Sequence, residues 1–168
     1  MKHILLLIGA LVLCFSCSQQ EGQTYTNREA RQALHAANSV YDYEGEVIFR
    51  ELLSGAVEVT IAMKGNQGDE AYYFPAHLHF GAYDTPDAPM AAMLDPVDMR
   101  TLKSTTLISE LSDGKEFRFD DLEQFDGHVK VHLAADGPDY NVILSVGNIG
   151  MNSSKGIIMD NITVCAPY

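Results

Sequence analysis

The chain has 168 residues, with 11 lysines and arginines against 23 aspartates and glutamates, a formal net charge of −12. That length suits one domain with short additions. An acidic surface of this kind repels phosphate groups, which argues against nucleic acid as a partner, and it favours cations.

In chain order, the first segment is a leader. Lys2 supplies a positive end, residues 4–15 are apolar, and Ser16 precedes Cys17. This is the layout of a secretory signal. The apolar run is too short for a membrane span of about 20 residues. The stretch "MKHILLLIGALVLCFSC" resembles a bacterial lipoprotein signal. That resemblance implies cleavage after residue 16 and lipidation of Cys17. Cys14, preceded by the bulky Leu13, fits the pattern less well. The expected address is the bacterial cell envelope, with the N-terminal lipid in a membrane, at the outer membrane or the periplasmic face. The polar residues 18–26 read as a tether. With Cys17 as anchor, Cys165 is the one cysteine left to the mature chain. No internal disulfide is expected, and stability has to come from a hydrophobic core.

Residues 27–38, "NREARQALHAAN", read as a short helix, capped by Thr26 or Asn27 and completing a 17–40 tether. His35 lies there alone and reads as a surface residue. From residue 41 to the C-terminus the pattern is strand-like. Residues 45–52 and 56–63 form a hairpin signal around "LSG". Residues 73–81 read as a third strand, with Pro75 near a strand end or on an edge. Residues 82–98 carry three prolines and read as a long loop with a short strand at 90–94. Residues 101–111, 115–122, 127–135 and 140–150 read as further strands, and the last residues offer one more. The expected fold is all-β, an antiparallel Greek-key sandwich or barrel.

The stretch "YFPAHLHFG" carries the chemistry. Side chains alternate along a strand. Phe74, Ala76, Leu78 and Phe80 share the core face, so His77 and His79 point the other way. In the later strand, Val129, Val131 and Leu133 form the core set, leaving His128, Lys130 and His132 opposite. Neutral imidazole is a common ligand of zinc and copper. Histidines at i and i+2 sit about 6.6 Å apart along a strand, within reach of one ion, whereas His128 and His132 are about 13 Å apart. The economical site is His77 and His79 with one histidine of the later strand, provided that the two strands are neighbours. Three imidazoles with an open position suit copper or zinc. Lys130 counts against this, because its charge shares the face. The alternative is a solvent-facing pair without a ligand.

"AHLHFGAYD", followed later by "GHVKVHLAADGPDYNVILSVGNIG", resembles the CHRD domain, the repeat named after chordin, over roughly residues 43–150. The resemblance implies a β-sandwich of extracellular or envelope proteins, usually without assigned catalysis; the expected role is a binding module whose ligand is a transition metal ion or a partner protein. By motif position it selects His77, His79 and His132 over His128. The "GPDYNVILSVG" ending departs from that family's usual arginine-containing one. H-x-H-F-G also resembles the copper strand of copper/zinc superoxide dismutases, which would imply a copper-dependent redox enzyme. That family's further histidines are missing between Phe80 and Gly127, and no arginine follows Arg118. A third alternative is a structural surface domain that holds no metal.

Other candidates are thinner. Asp84, Asp95 and Asp98 lack EF-hand spacing. Met90 and Met93 are possible soft ligands for Cu(I), with packing the simpler reading. Asp120, Asp121, Glu123 and Asp126 read as a solvated acidic face.

Overall fold

A computed structural model describes residues 25–164. The expected leader, Cys17 and Cys165 lie outside the described residues. Eight strands run in chain order: β1 (Tyr25–Ala36), β2 (Glu44–Leu52), β3 (Val57–Lys64), β4 (Tyr73–Phe80), β5 (Met90–Asp98), β6 (Lys103–Ile108), β7 (Asp126–His132) and β8 (Ile143–Gly150). They close into an antiparallel barrel in the order β1-β2-β3-β6-β5-β4-β7-β8. Three consecutive strands, β4 to β6, with β7 returning beside β4, make a Greek key. The expected all-β class is what is found.

The barrel is two four-stranded sheets joined at two thin seams. β5 meets β6 through the single pair Asp98↔Lys103. β1 meets β8 through His35↔Val146 and Ala36↔Ser145. Gly147 allows the second seam, because a Cβ there would lie 2.3 Å from the Ala33 carbonyl oxygen. The interior is filled by alternate residues of every wall, among them Phe49, Ile61, Phe74, Leu78, Val131 and Leu144. Burial of such side chains is the main force for closure.

Several expected elements are different in the structure, and the short strand expected at 90–94 runs on to Asp98 as β5. Residues 27–38 are not a helix on a tether; residues 25–36 are strand β1, an integral wall of the barrel. Their Ala, Arg, Glu and Gln content favours helix in isolation, but pairing with β2 over Glu29↔Arg50 to Leu34↔Gly45 overrides it. Leu34 is only 2% exposed, in the core. The charges that look helical make cross-strand pairs instead. Arg31 pairs with Glu46 at 2.7 Å and Arg50 with Glu29 at 2.7 Å. His35 is exposed, as expected.

Residues 115–122 do not form a strand either. Phe119–Gln124 is a 3₁₀ helix, opened by a reciprocal bond in which the Arg118 N–H donates to the Asp121 carboxylate at 2.8 Å. It drops Phe117, Leu122 and Phe125 into the core cluster, while Asp120, Asp121, Glu123 and Asp126 stay exposed. Residues 151–164 also carry no strand. Pro75 sits at a bulge near the start of β4, between Phe74 and Ala76, before pairing with β7 begins. It is not at an edge, since β4 has a neighbour on each side.

Because Leu34 belongs to the core, Leu34→Ala should lower unfolding free energy by about 2–4 kcal/mol, read from the denaturant midpoint. A tether helix at this position would leave the midpoint unchanged.

Candidate metal centre

The site is built on the outer face of β4 and β7. The pairing Ala76↔Val131, His77↔Lys130, Leu78↔Val129 and His79↔His128 puts alternate residues on opposite sides of the wall. Ala76, Leu78, Val129 and Val131 enter the core. His77, His79, His128, Lys130 and His132 lie on the other side. The ring centroids of His77 and His132 are 5.1 Å apart, those of His77 and His79 are 5.8 Å apart, and those of His79 and His128 are 5.1 Å apart and stacked.

This outer face is not wet. All four histidines and Lys130 are buried, under three covers. The first begins at Gly81, which closes the H-x-H-F-G motif with φ +77°, a conformation that favours glycine. It folds residues 82–89 back over β4 and β7. The second is residues 151–164. There Tyr83 and Thr163 stitch the two covers together: Ile158 N–H donates to Tyr83 Oη at 3.0 Å, and the Thr163 hydroxyl donates to the Thr85 carbonyl at 2.8 Å. Asn148 ties them to β8, accepting from Tyr83 N–H at 3.2 Å. The third cover is Tyr140, which stacks on His132 at 4.6 Å between ring centroids. A small apolar cluster of Tyr83, Ile143 and Val146 seals the layer.

The covers also choose which ring nitrogen is available. A carbonyl oxygen can only accept, so a ring nitrogen facing one must carry the proton. His79 Nδ1 donates to the Ala88 carbonyl at 3.0 Å, His132 Nδ1 to the Tyr140 carbonyl at 2.8 Å, and His128 Nδ1 to the Gly81 carbonyl at 2.7 Å. In each neutral ring Nε2 then holds a lone pair. This is the orientation that backbone carbonyls impose on metal-binding histidines.

His77, His79 and His132 each offer one ligand nitrogen, and these lie within 4.8 Å of one another. Such a group could hold a metal ion. Ligand nitrogens of a tetrahedral ion at 2.0–2.1 Å are about 3.4 Å apart, so each would move inward by less than about 1 Å. His128 is brought into the cluster but is not one of that set. It backs His79 as a stacked ring, and its Nε2 has no hydrogen-bond partner among the described residues. Asp84, Asp95 and Asp98 are not part of any such group among the described residues. Asp98 is instead bound by Arg100 at 2.6 Å.

Electrostatics keep the rings neutral. Burial pushes His77 down to about 3, helped by His132 and His79. Burial pushes His79 down to about 4, against its bond to Ala88, with the Lys130 charge adding to the fall. His128 falls to about 3 and His132 is lowered, burial leading in both. Lys130 is completely buried opposite His77, and its Nζ donates to the Thr163 carbonyl at 2.6 Å. Its positive charge opposes a bound cation and points away toward the cover.

One side of the cluster opens outward. A cleft of about 360 Å³ is lined by Tyr73, Pro75, His77, Met93, Pro96 and Tyr140, with no charged side chain in its walls. His77 is the one member of the triad that lines it.

Sequence reasoning reached the four histidines and the lysine. It missed the carbonyls of Gly81, Ala88 and Tyr140, and it missed Thr163, because a backbone acceptor leaves no trace in residue type. Comparison of the chain with family models, curated proteins and solved structures finds no match.

The histidines make stability depend on pH. Their folded values lie below the ordinary 6.5, so the unfolded chain binds more protons between those limits. Stability is complete above about pH 6.5 and declines as pH falls toward 3–4. Metal-free protein should lose about 1–2 kcal/mol per buried ring between pH 7 and 5, measured by denaturant unfolding at each pH. His128→Gln should reduce the steepness by about one proton. A pH-independent midpoint over this range would contradict the neutral cluster.

Proposed function

We propose that the chain is a lipid-anchored module of a bacterial envelope that binds one transition metal ion, copper or zinc, through His77, His79 and His132. One observation carries the binding: segments more than fifty residues apart in sequence meet with three ligand nitrogens within 4.8 Å, in a buried layer. Neutral rings, two of them with carbonyl-held Nδ1–H groups at His79 and His132, are ready to coordinate without first losing a proton. Three imidazoles and an open fourth position are a donor set for zinc or copper. The acidic chain attracts the cation at long range, which works against the local repulsion from Lys130.

The anchoring half of the reading rests on Lys2, the apolar residues 4–15, and Ser16 before Cys17. The CHRD-type reading agrees with the same residues, since the two motifs that carry it are the two strands that meet. A binding module, with a metal ion or a partner protein as its ligand, is the class this favours.

The test uses a soluble form starting at Ser18, stripped of metal and titrated with Cu(II) and Zn(II) in a calorimeter. One equivalent should bind with a Kd below the micromolar range. His79→Ala and His132→Ala should each weaken binding at least about 100-fold, and His35→Ala should leave it unchanged. Binding that survives both site variants, or no saturable binding in the parent, would defeat the proposal.

A further inference from the structure

Among the described residues the metal triad borders one outward cleft, and that cleft has its own chemistry. Residues 82–89 cover His79 and His128, residues 151–164 cover Lys130, and Tyr140 covers His132. Beside these covers, among the described residues, lies the uncharged cleft at His77. Across it stands Met93, which is directly opposite His77 in the β4–β5 register and lines the same cleft. Facing residues of antiparallel strands hold their Cβ atoms about 4.5–5.5 Å apart. Met93 is 64% exposed, so the residue is largely open to solvent. Next along the strand, Met90 stands opposite His79 in register.

The kind of ion that can use this route follows. A divalent ion would shed tightly held water into a cleft without a charged or oxygen-rich wall. Thioether and imidazole together suit Cu(I), a soft ion.

We propose that this cleft is the entry to the triad for Cu(I), and that the Met93 thioether receives the ion at the surface and passes it to His77. The proposal rests on the triad reading. Met93 is a loading residue and not a member of the final ligand set, so its loss changes the rate of filling more than the final affinity. No electron is transferred in this step: the Met93 sulfur displaces a ligand of the incoming Cu(I), acetonitrile in the test below, and the copper–sulfur bond is then broken as nitrogen bonds form at the triad.

The experiment adds Cu(I), as its acetonitrile complex under anaerobic conditions, to metal-stripped protein. The rate of loading is followed by stopped flow against a chromogenic Cu(I) chelator. Met93→Leu should slow loading by about tenfold or more, while Zn(II) affinity stays within about twofold. Met93→Cys, which restores a soft donor, should recover most of the rate. In methyl-labelled protein, the Met93 ε-methyl signal should move on adding Ag(I), while that of Met99, which packs against the barrel core, stays in place. Copper binding with an unchanged loading rate in Met93→Leu and a stationary Met93 methyl would overturn the entry route and leave the triad standing. Absence of both Cu(I) and Zn(II) binding in the parent protein would overturn both.

Discussion

The register between β4 and β7 is the constraint on which everything outside the barrel depends. Leu78↔Val129 and Ala76↔Val131 are pinned by the core on one side of the wall. His77, His79, His128 and His132 are therefore forced to the other side. A slip by one residue would exchange the faces, sending imidazoles and a lysine into the hydrophobic interior. The stability of the barrel and the assembly of the histidine cluster are thus one choice of pairing. The bulge at Pro75 and the shift between Val131 and His132 adjust the ends of the two strands without altering this alternation at the centre.

Around that wall the chain builds a second, thinner layer. Its contribution is chemical more than energetic. By excluding water it disfavours the imidazolium form, so the rings remain neutral well below the ordinary histidine range. By presenting the carbonyls of Gly81, Ala88 and Tyr140 it takes up the Nδ1 protons and leaves the Nε2 lone pairs as donors. Lys130 is the conflicting element. It is buried beside four imidazoles, and its hydrogen bond to the Thr163 carbonyl couples its position to the closure of the C-terminal cover.

Much of this was legible in the residues. The two-residue alternation in "YFPAHLHF" and "GHVKVH" located both core faces and the histidine set. The i and i+2 spacing, with the separation of His128 from His132, reduced four histidines to a plausible three. Three things were not legible. Residues 27–38 carry a strand period in Ala30, Gln32, Leu34 and Ala36, but their helix-favouring composition masks it until β2 supplies a partner. Phe117, Leu122 and Phe125 share no simple period, because a 3₁₀ turn and not a strand delivers them to the core. The burial of the outer face depends on distant cover segments, and outward-facing polar residues on a strand ordinarily meet solvent.

The central claim is that backbone carbonyls and burial together fix His79, His128 and His132 as neutral rings protonated at Nδ1, which leaves their Nε2 atoms as lone-pair donors. Nitrogen-15 chemical shifts of the imidazole rings in metal-free protein at pH 6 read this directly. The account predicts neutral rings for His79, His128 and His132, each with its proton on Nδ1. Rings that are protonated at both nitrogens at that pH, or that carry the proton on Nε2, would contradict it.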